Sequence, residues 1–186
     1  MIKKLTALHE KVFDPIQARL EDWFPGLLAR LVFAAVLLVY FLNSSSGKFG
    51  RGFPGIFTVT DNAYFQILPT VVERYGYDAS QIPLFPWDVI VYLGTYSEFL
   101  LPILIVIGLF TRLAALGMVA FVCVQSYVDI FLLKADATAI GAWFDHLSDS
   151  TILDQRALWV FLLAYLVIYG AGRVSLDHLL HRRFRD

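Results

Sequence analysis

Apolar residues in this chain gather into four long runs, and none of the runs alternates polar and apolar with the period of two that a half-buried strand requires. A bilayer core of about 30 Å is crossed by about 20 helical residues. On that measure the runs predict spans at 27–47, 87–109, 113–133 and 152–172. The middle two reach the length cleanly, whereas the outer two do so only with their flanks. The first run starts too far along the chain to be the core of a signal peptide, so it reads as a retained helix.

The segments between the spans carry patterns of their own. In 1–26, Leu5, Leu8, Val12, Ile16, Leu20 and Trp23 recur at spacings of three and four. This is an amphipathic helix or helix pair suited to a membrane surface, with Lys3, Lys4, Lys11 and Arg19 towards the headgroups. Asp14-Pro15 reads as a helix start. The outer loop 48–86 is long and aromatic, and is expected to fold over the bundle mouth or dip into the interface, with Thr60 or Asp61 capping a helix through Leu68. The loop 134–156 is expected to hold a short helix around 139–147. Trp87, Trp143 and Trp159 are expected in an outer aromatic belt, with Trp23 in an inner one. The expected architecture is all-α: a single integral membrane domain, a four-helix bundle with an interfacial N-terminal helix, short extra helices in the outer loops and a tail at 173–186.

Composition agrees with this reading. The 186 residues are 58% hydrophobic and only 17% charged, with a mean hydropathy of +0.64; soluble domains are nearer 45–50% and 25%. Fifteen Lys+Arg against 16 Asp+Glu leave a net charge of −1, which excludes nucleic-acid binding driven by global charge. The single cysteine, Cys123, excludes an internal disulfide, a redox dithiol and a cysteine zinc cage. Lys3, Lys4, Lys11, Arg19, Arg30, Arg112, Arg173, Arg182, Arg183 and Arg185 fall on one side of the predicted topology, and only Lys48, Arg51, Arg74, Lys134 and Arg156 on the other. Both termini are therefore expected to be cytoplasmic.

Polar residues at membrane depth are costly and point to function. Glu98 lies at the centre of 87–109, where a carboxylate must be paired, hydrated in a cavity or protonated. The alternative is a carboxyl that holds neighbouring helices together. Gln125 and Ser126 share a stripe with Asp129, four and three residues on, which makes a polar seam in the outer half of the bundle. Tyr96 and other tyrosines add hydroxyls. Lys48 and Arg51 follow the first span and can snorkel towards Glu98 and Asp129, whereas Arg30 reads as a headgroup anchor. Pro102 is expected to kink the second span one turn from Glu98. The four histidines fall outside the spans, against two-histidine haem ligation in the bundle. No metal site and no nucleotide-binding or hydrolase motif is legible.

Two stretches carry a family resemblance. One is Glu98 followed by an apolar run to Gly108-Leu109-Phe110-Thr111-Arg112. The other is Gly170-Ala171-Gly172-Arg173-Val174-Ser175-Leu176-Asp177, with Ala171 where the family's ending has proline. Together with Ser45 to Lys48 at the end of the first span, they resemble the DoxX family of small four-helix bacterial membrane proteins. The resemblance runs from Leu28 onward and implies the inner membrane. The family name is associated with thiosulfate–quinone oxidation, and other members are linked to membrane oxidoreductase complexes or to peptide and metal handling. Read from the residues themselves, Gly170 and Gly172 end the last span, and Ser175 caps a short helix.

Two readings of function follow. In the first, the chain is a redox-associated subunit, enzymatic only as part of a quinone-linked oxidoreductase. It binds a quinone-like molecule, with no covalent cofactor, beside Glu98 and Asp129 as proton carriers and Gln125, Ser126, Tyr96, Lys48 and Arg51 as ligand contacts. In the second it is a non-enzymatic accessory or assembly protein whose loops meet a soluble or membrane partner. A small transporter is the weakest reading, because four helices without an evident internal repeat form no obvious alternating-access pathway unless they oligomerise.

Overall fold

The computed structural model describes residues 2–184; Arg185, counted above among the basic residues, lies outside them. Among the described residues every regular element is helical, apart from one isolated antiparallel bridge between Phe49 and Val59. The helices in order are α1 (Ile2–Leu20), α2 (Phe24–Ser46), α3 (Gly52–Gly55), α4 (Asp61–Ile67), α5 (Pro69–Arg74), α6 (Val89–Ile107), α7 (Thr111–Leu132), α8 (Ala137–Ile140), α9 (Leu153–Tyr169) and α10 (Leu176–Arg183).

Three of these helices, α2, α7 and α6 with its leading turn from Leu84, are long and apolar enough to cross a membrane. The fourth, α9, has 17 residues, about 25 Å at 1.5 Å per residue, which is the short limit for a span. It ends three residues before the expected boundary because Gly170 and Gly172 take positive φ. The four long helices pack in a ring: α2 against α6, α6 against α7, α7 against α9, and α9 back against α2. Phe33, Leu37, Phe41, Ile105, Met118, Leu163 and Leu166 fill the centre with almost no exposed area. Many apolar side chains on the outside of the ring are exposed, as a lipid-facing surface requires. Two π-helical turns, Ala34–Leu38 in α2 and Val128–Leu132 at the end of α7, shift the register of the residues beyond them.

Several sequence expectations are corrected. Asp14-Pro15 does not start a helix; Pro15 lies inside an unbroken α1. The apolar stripe Leu8, Val12, Ile16, Leu20 runs in phase across it, which favours one continuous helix. No residue of α1 is buried against the rest of the chain. The helix expected at 139–147 is only Ala137–Ile140, because Gly141 turns to φ +74° with Ser150 pressed against it. Trp159 is not in an outer belt. It turns inward and packs on Tyr40 and Phe41, at ring-centroid distances of 5.6 and 6.1 Å. Trp87 packs on the outer-loop core, and Trp143 stays exposed. Pro102 sits inside a continuous α6.

The long outer loop folds as a unit. Ala63, Leu68, Val71, Val72 and Ile82 form a second small core against Val91 of α6. Gly50 donates its N–H to the carbonyls of Gly55 and Thr58, and no Cβ fits on Gly55 where it crosses Gly50. The Tyr96 hydroxyl donates to the Ile56 carbonyl at 2.6 Å. Tyr64 donates to Asp88 at 2.8 Å. Burial, and then that carboxylate, push the Tyr64 hydroxyl above its ordinary range.

At the end carrying the chain termini, the expectation for Arg30 is also overturned. It is buried, not a headgroup anchor. Its guanidinium donates to the carbonyls of Ile105, Val106, Ala171 and Val174. These carbonyls close α6 and the turn after α9, where helix ends leave acceptors unpaired and partly negative. Asp177 caps the start of α7 by accepting from Phe110 N–H at 2.6 Å and Thr111 N–H at 2.9 Å. Ser175 accepts from His178 N–H at 3.2 Å and so caps α10.

Candidate functional site

The site lies between α6 and α7, under α4, towards the end opposite the termini. Its deepest feature is an ion pair between Lys48 and Glu98, which are 4% and 2% exposed. Glu98 faces inward because it shares the buried stripe of α6 with Val91, Thr95, Pro102 and Ile105. Pro102 has no N–H to give the Glu98 carbonyl four residues back. Lys48 is held from both sides along the backbone: its N–H bonds the Ser45 carbonyl at 2.9 Å, and its carbonyl accepts from Thr60 N–H at 2.9 Å. The loop therefore carries this lysine over the mouth of the bundle and turns its side chain inward. Its ammonium also donates to Ser44 Oγ at 3.2 Å. A lysine has three donors, so these two bonds leave one. Glu98 is bonded through Oε2, and no hydrogen bond reaches its Oε1 among the described residues.

A second ion pair closes the outer side. Asp129, in the π-helical end of α7, pairs with Arg156 in the first turns of α9. Arg156 is 8% exposed, donates to Ser126 Oγ at 3.0 Å and lies 6.0 Å from the Trp159 ring. Sequence reasoning missed Arg156, counting it as a loop charge. The signal available was Asp129 itself, which needs a cation at the same depth.

Between the pairs is a cavity of about 440 Å³, within the range of small-molecule sites. Ser44, Lys48, Gln66, Glu98, Gln125 and Asp129 supply its polar wall, and Ile67, Ile90, Leu93, Phe121, Val124, Val128 and Leu133 are among its apolar lining. One amide atom of Gln125 bonds the Tyr40 hydroxyl at 3.1 Å; the other is buried without a partner. Such a group in an apolar bundle is stabilised when something fills the hydrogen bond.

The structure thus brings Glu98, Asp129, Gln125 and Lys48 to one cavity. It does not bring Ser126, Tyr96 or Arg51 there. Ser126 is occupied by Arg156 and the Val122 carbonyl. Tyr96 tethers the outer loop. Arg51 is exposed at the start of α3, because the turn that buries Lys48 points it away. Among the described residues, no group of three His, Cys, Asp or Glu side chains is placed to hold a metal ion.

Comparison with known proteins agrees with the architecture. The family model described as DoxX matches residues 26–128, from the start of α2 to the end of α7's regular part. The match includes Lys48, Glu98 and Gln125 and stops one residue before Asp129. No curated protein and no solved structure matches the chain. With more than half of its residues under that match, and with the apolar helices to go with it, the chain is a membrane protein that belongs to the DoxX family.

Proposed function

We propose that this protein binds a quinone-like lipophilic molecule in the cavity beside Glu98 and works as a redox-associated membrane subunit. The observation that carries the reading is the cavity's mixed wall: apolar surface for a ring, and three polar groups with spare capacity at one side. These are one Lys48 donor, Glu98 Oε1 and the unpartnered Gln125 amide atom. A bound quinone supplies a ring that exchanges two protons with two electrons. Around it, Lys48 donates a hydrogen bond to a ring oxygen, and Gln125 Oε1 accepts one from a ring hydroxyl of the reduced form. Glu98 holds or takes a proton at Oε1, and Asp129 offers a second carboxylate nearer the outer surface.

The same reading puts the chain in a bacterial inner membrane with both termini cytoplasmic. In support, Arg30, Arg112, Arg173, Arg182 and Arg183 gather at the end that carries the termini. The exposed apolar stripe of α1 then rests on that membrane surface. An oxidoreductase partner completes the electron path.

The test is to purify the protein in mild detergent and analyse extracted lipids by mass spectrometry. The expected result is a quinone near one per chain. Glu98→Gln should weaken binding of a decyl-substituted benzoquinone by about tenfold or more, about 1.4 kcal/mol. No co-purified quinone and no saturable binding, or unchanged affinity in the variant, refutes the reading. One observation favours a second reading, a non-enzymatic accessory protein: Lys48 and Glu98 already neutralise each other, as a packing element does. A stable protein partner in native membranes, with an empty cavity, is its expected signature.

A further inference from the structure

The cavity has a mouth, and its position restricts what enters. Leu93 on α6 and Val124 on α7 line the cavity and are 64% and 61% exposed. Both belong to helices that cross the membrane, so their exposed faces meet acyl chains. The roof is formed by Gln66 and Ile67 of α4, and Ile67 rests on Gly94, where a Cβ would come within 3.1 Å of it. Lys48 and Glu98 lie on its buried side. Charge is balanced: Lys48 answers Glu98, and Arg156 answers Asp129.

We infer that the cavity is loaded sideways from the bilayer, through a gap between α6 and α7 rimmed by Leu93 and Val124. Its occupant is an uncharged single-tailed amphiphile that enters head first. The head, bearing hydroxyl or carbonyl groups, meets Lys48, Glu98 and Gln125. The tail stays between Leu93 and Val124 and continues into the lipid. A head with net charge breaks the balance of the two ion pairs in a site with little water, and so is disfavoured. Gly94 is a specificity-determining position, because a side chain there lifts Ile67 and the roof. The inference rests on the cavity being a ligand site, and it needs no quinone for its test.

The test uses the full chain in lipid nanodiscs, with Cys123→Ala removing the native thiol and Ser44→Cys placing a thiol inside the cavity. Two reagents are compared, N-phenylmaleimide, which partitions into lipid, and a charged membrane-impermeant maleimide. Lipid-side entry predicts labelling by the first and at least about tenfold slower labelling by the second. Adding Leu93→Trp or, from the other wall, Val124→Trp narrows the gap and slows N-phenylmaleimide by about tenfold. Leu100→Trp, on the exposed face of α6 outside the cavity lining, leaves the rate unchanged. Comparable labelling by both reagents, or no slowing by either rim tryptophan in protein that remains folded by circular dichroism, overturns the lateral mouth. Absence of quinone binding with the labelling pattern intact overturns the quinone reading alone.

Discussion

The two ends of the bundle bury charge in opposite ways. At the end carrying the termini, Arg30 and Asp177 are bound to backbone: the cation to carbonyls at the close of α6 and after α9, the anion to the N–H groups that open α7. Each charge satisfies helix ends that would otherwise be left bare. At the far end, Lys48 and Arg156 are bound to carboxylates, and both carboxylates border the same cavity. Charge bound to backbone fixes how helices meet. Charge bound to charge around a space leaves lone pairs and protons facing that space. The first arrangement is a clamp, and the second is a site.

The comparison can be broken most sharply at Arg30. Arg30→Met leaves several carbonyls without donors and has no partner side chain whose removal compensates. We expect a loss of about 4–5 kcal/mol, given about 1.5–3 for a hydrogen bond to a charged group and incomplete additivity. This would be read as failure to accumulate or as a large drop in the thermal midpoint in detergent. A near-native midpoint would mean that the clamp is ornamental.

The far end should respond differently. Lys48→Met strands Glu98 and should cost about 3–4 kcal/mol, the usual scale for breaking a buried pair. Replacing both, Lys48→Met with Glu98→Leu, should return the midpoint to within about 1 kcal/mol of wild type, because apolar pairs of similar volume substitute well for buried ions. The double variant should nevertheless lose quinone binding. Stability rescued without ligand rescued is the outcome that separates a site from a clamp; failure to rescue stability would make the pair structural.

A smaller effect is expected at Asp177. Asp177→Asn keeps one acceptor but removes the charge that favours the start of α7, and should cost about 1 kcal/mol. The difference between this variant and wild type should shrink at high salt. Larger destabilisation, or one independent of salt, would mean that Asp177 is needed for packing beyond its two N–H bonds.

This contrast explains which features could be read along the chain. Hydropathy marks the spans because lipid demands unbroken apolar surface. Glu98 stands out for the same reason, since nothing nearby in sequence answers its charge. Lys48 is reachable by inference because its position at the end of α2 limits where it can go. Arg156 escapes notice because it falls where the expected loop, 134–156, overlaps the expected span, 152–172, and is counted with the loop, while the helix begins at Leu153 and carries the arginine inward. Arg30 is misread because its acceptors are backbone groups, and a carbonyl exposed at a helix end has no signature in sequence. The middle motif ending at Arg112 and the later Ser175-Leu176-Asp177 are both visible, but only the fold shows that Asp177 caps the helix on which Arg112 sits.

The smallest effect lies in the outer loop, away from both ion pairs. The Asp78 carboxylate accepts from Ser80 N–H at 3.0 Å, Ser80 Oγ at 2.6 Å and the Gln81 amide at 2.9 Å. The Ser80 hydroxyl, the Gln81 amide and then the Ser80 N–H hold its carboxyl below the ordinary aspartate value. A carboxyl depressed on folding stabilises fully above its unfolded pKa, near 3.9, and loses that contribution as pH falls through the lower folded value. Hydrogen exchange at 79–82, corrected for intrinsic rates, should therefore quicken as pH drops below about 4, while exchange in α7 holds steady. Asp78→Asn should flatten this pH response because the amide cannot titrate. The loop that bears Asp78 also carries α4, the roof of the cavity, so its loosening in acid should speed labelling of Ser44→Cys by the impermeant maleimide once its pH-dependent chemistry is corrected against a surface cysteine. If the loop loosens and that rate does not move, the roof is held by Ile67 on Gly94 alone, and the far end is a more closed site than the termini end is a clamp.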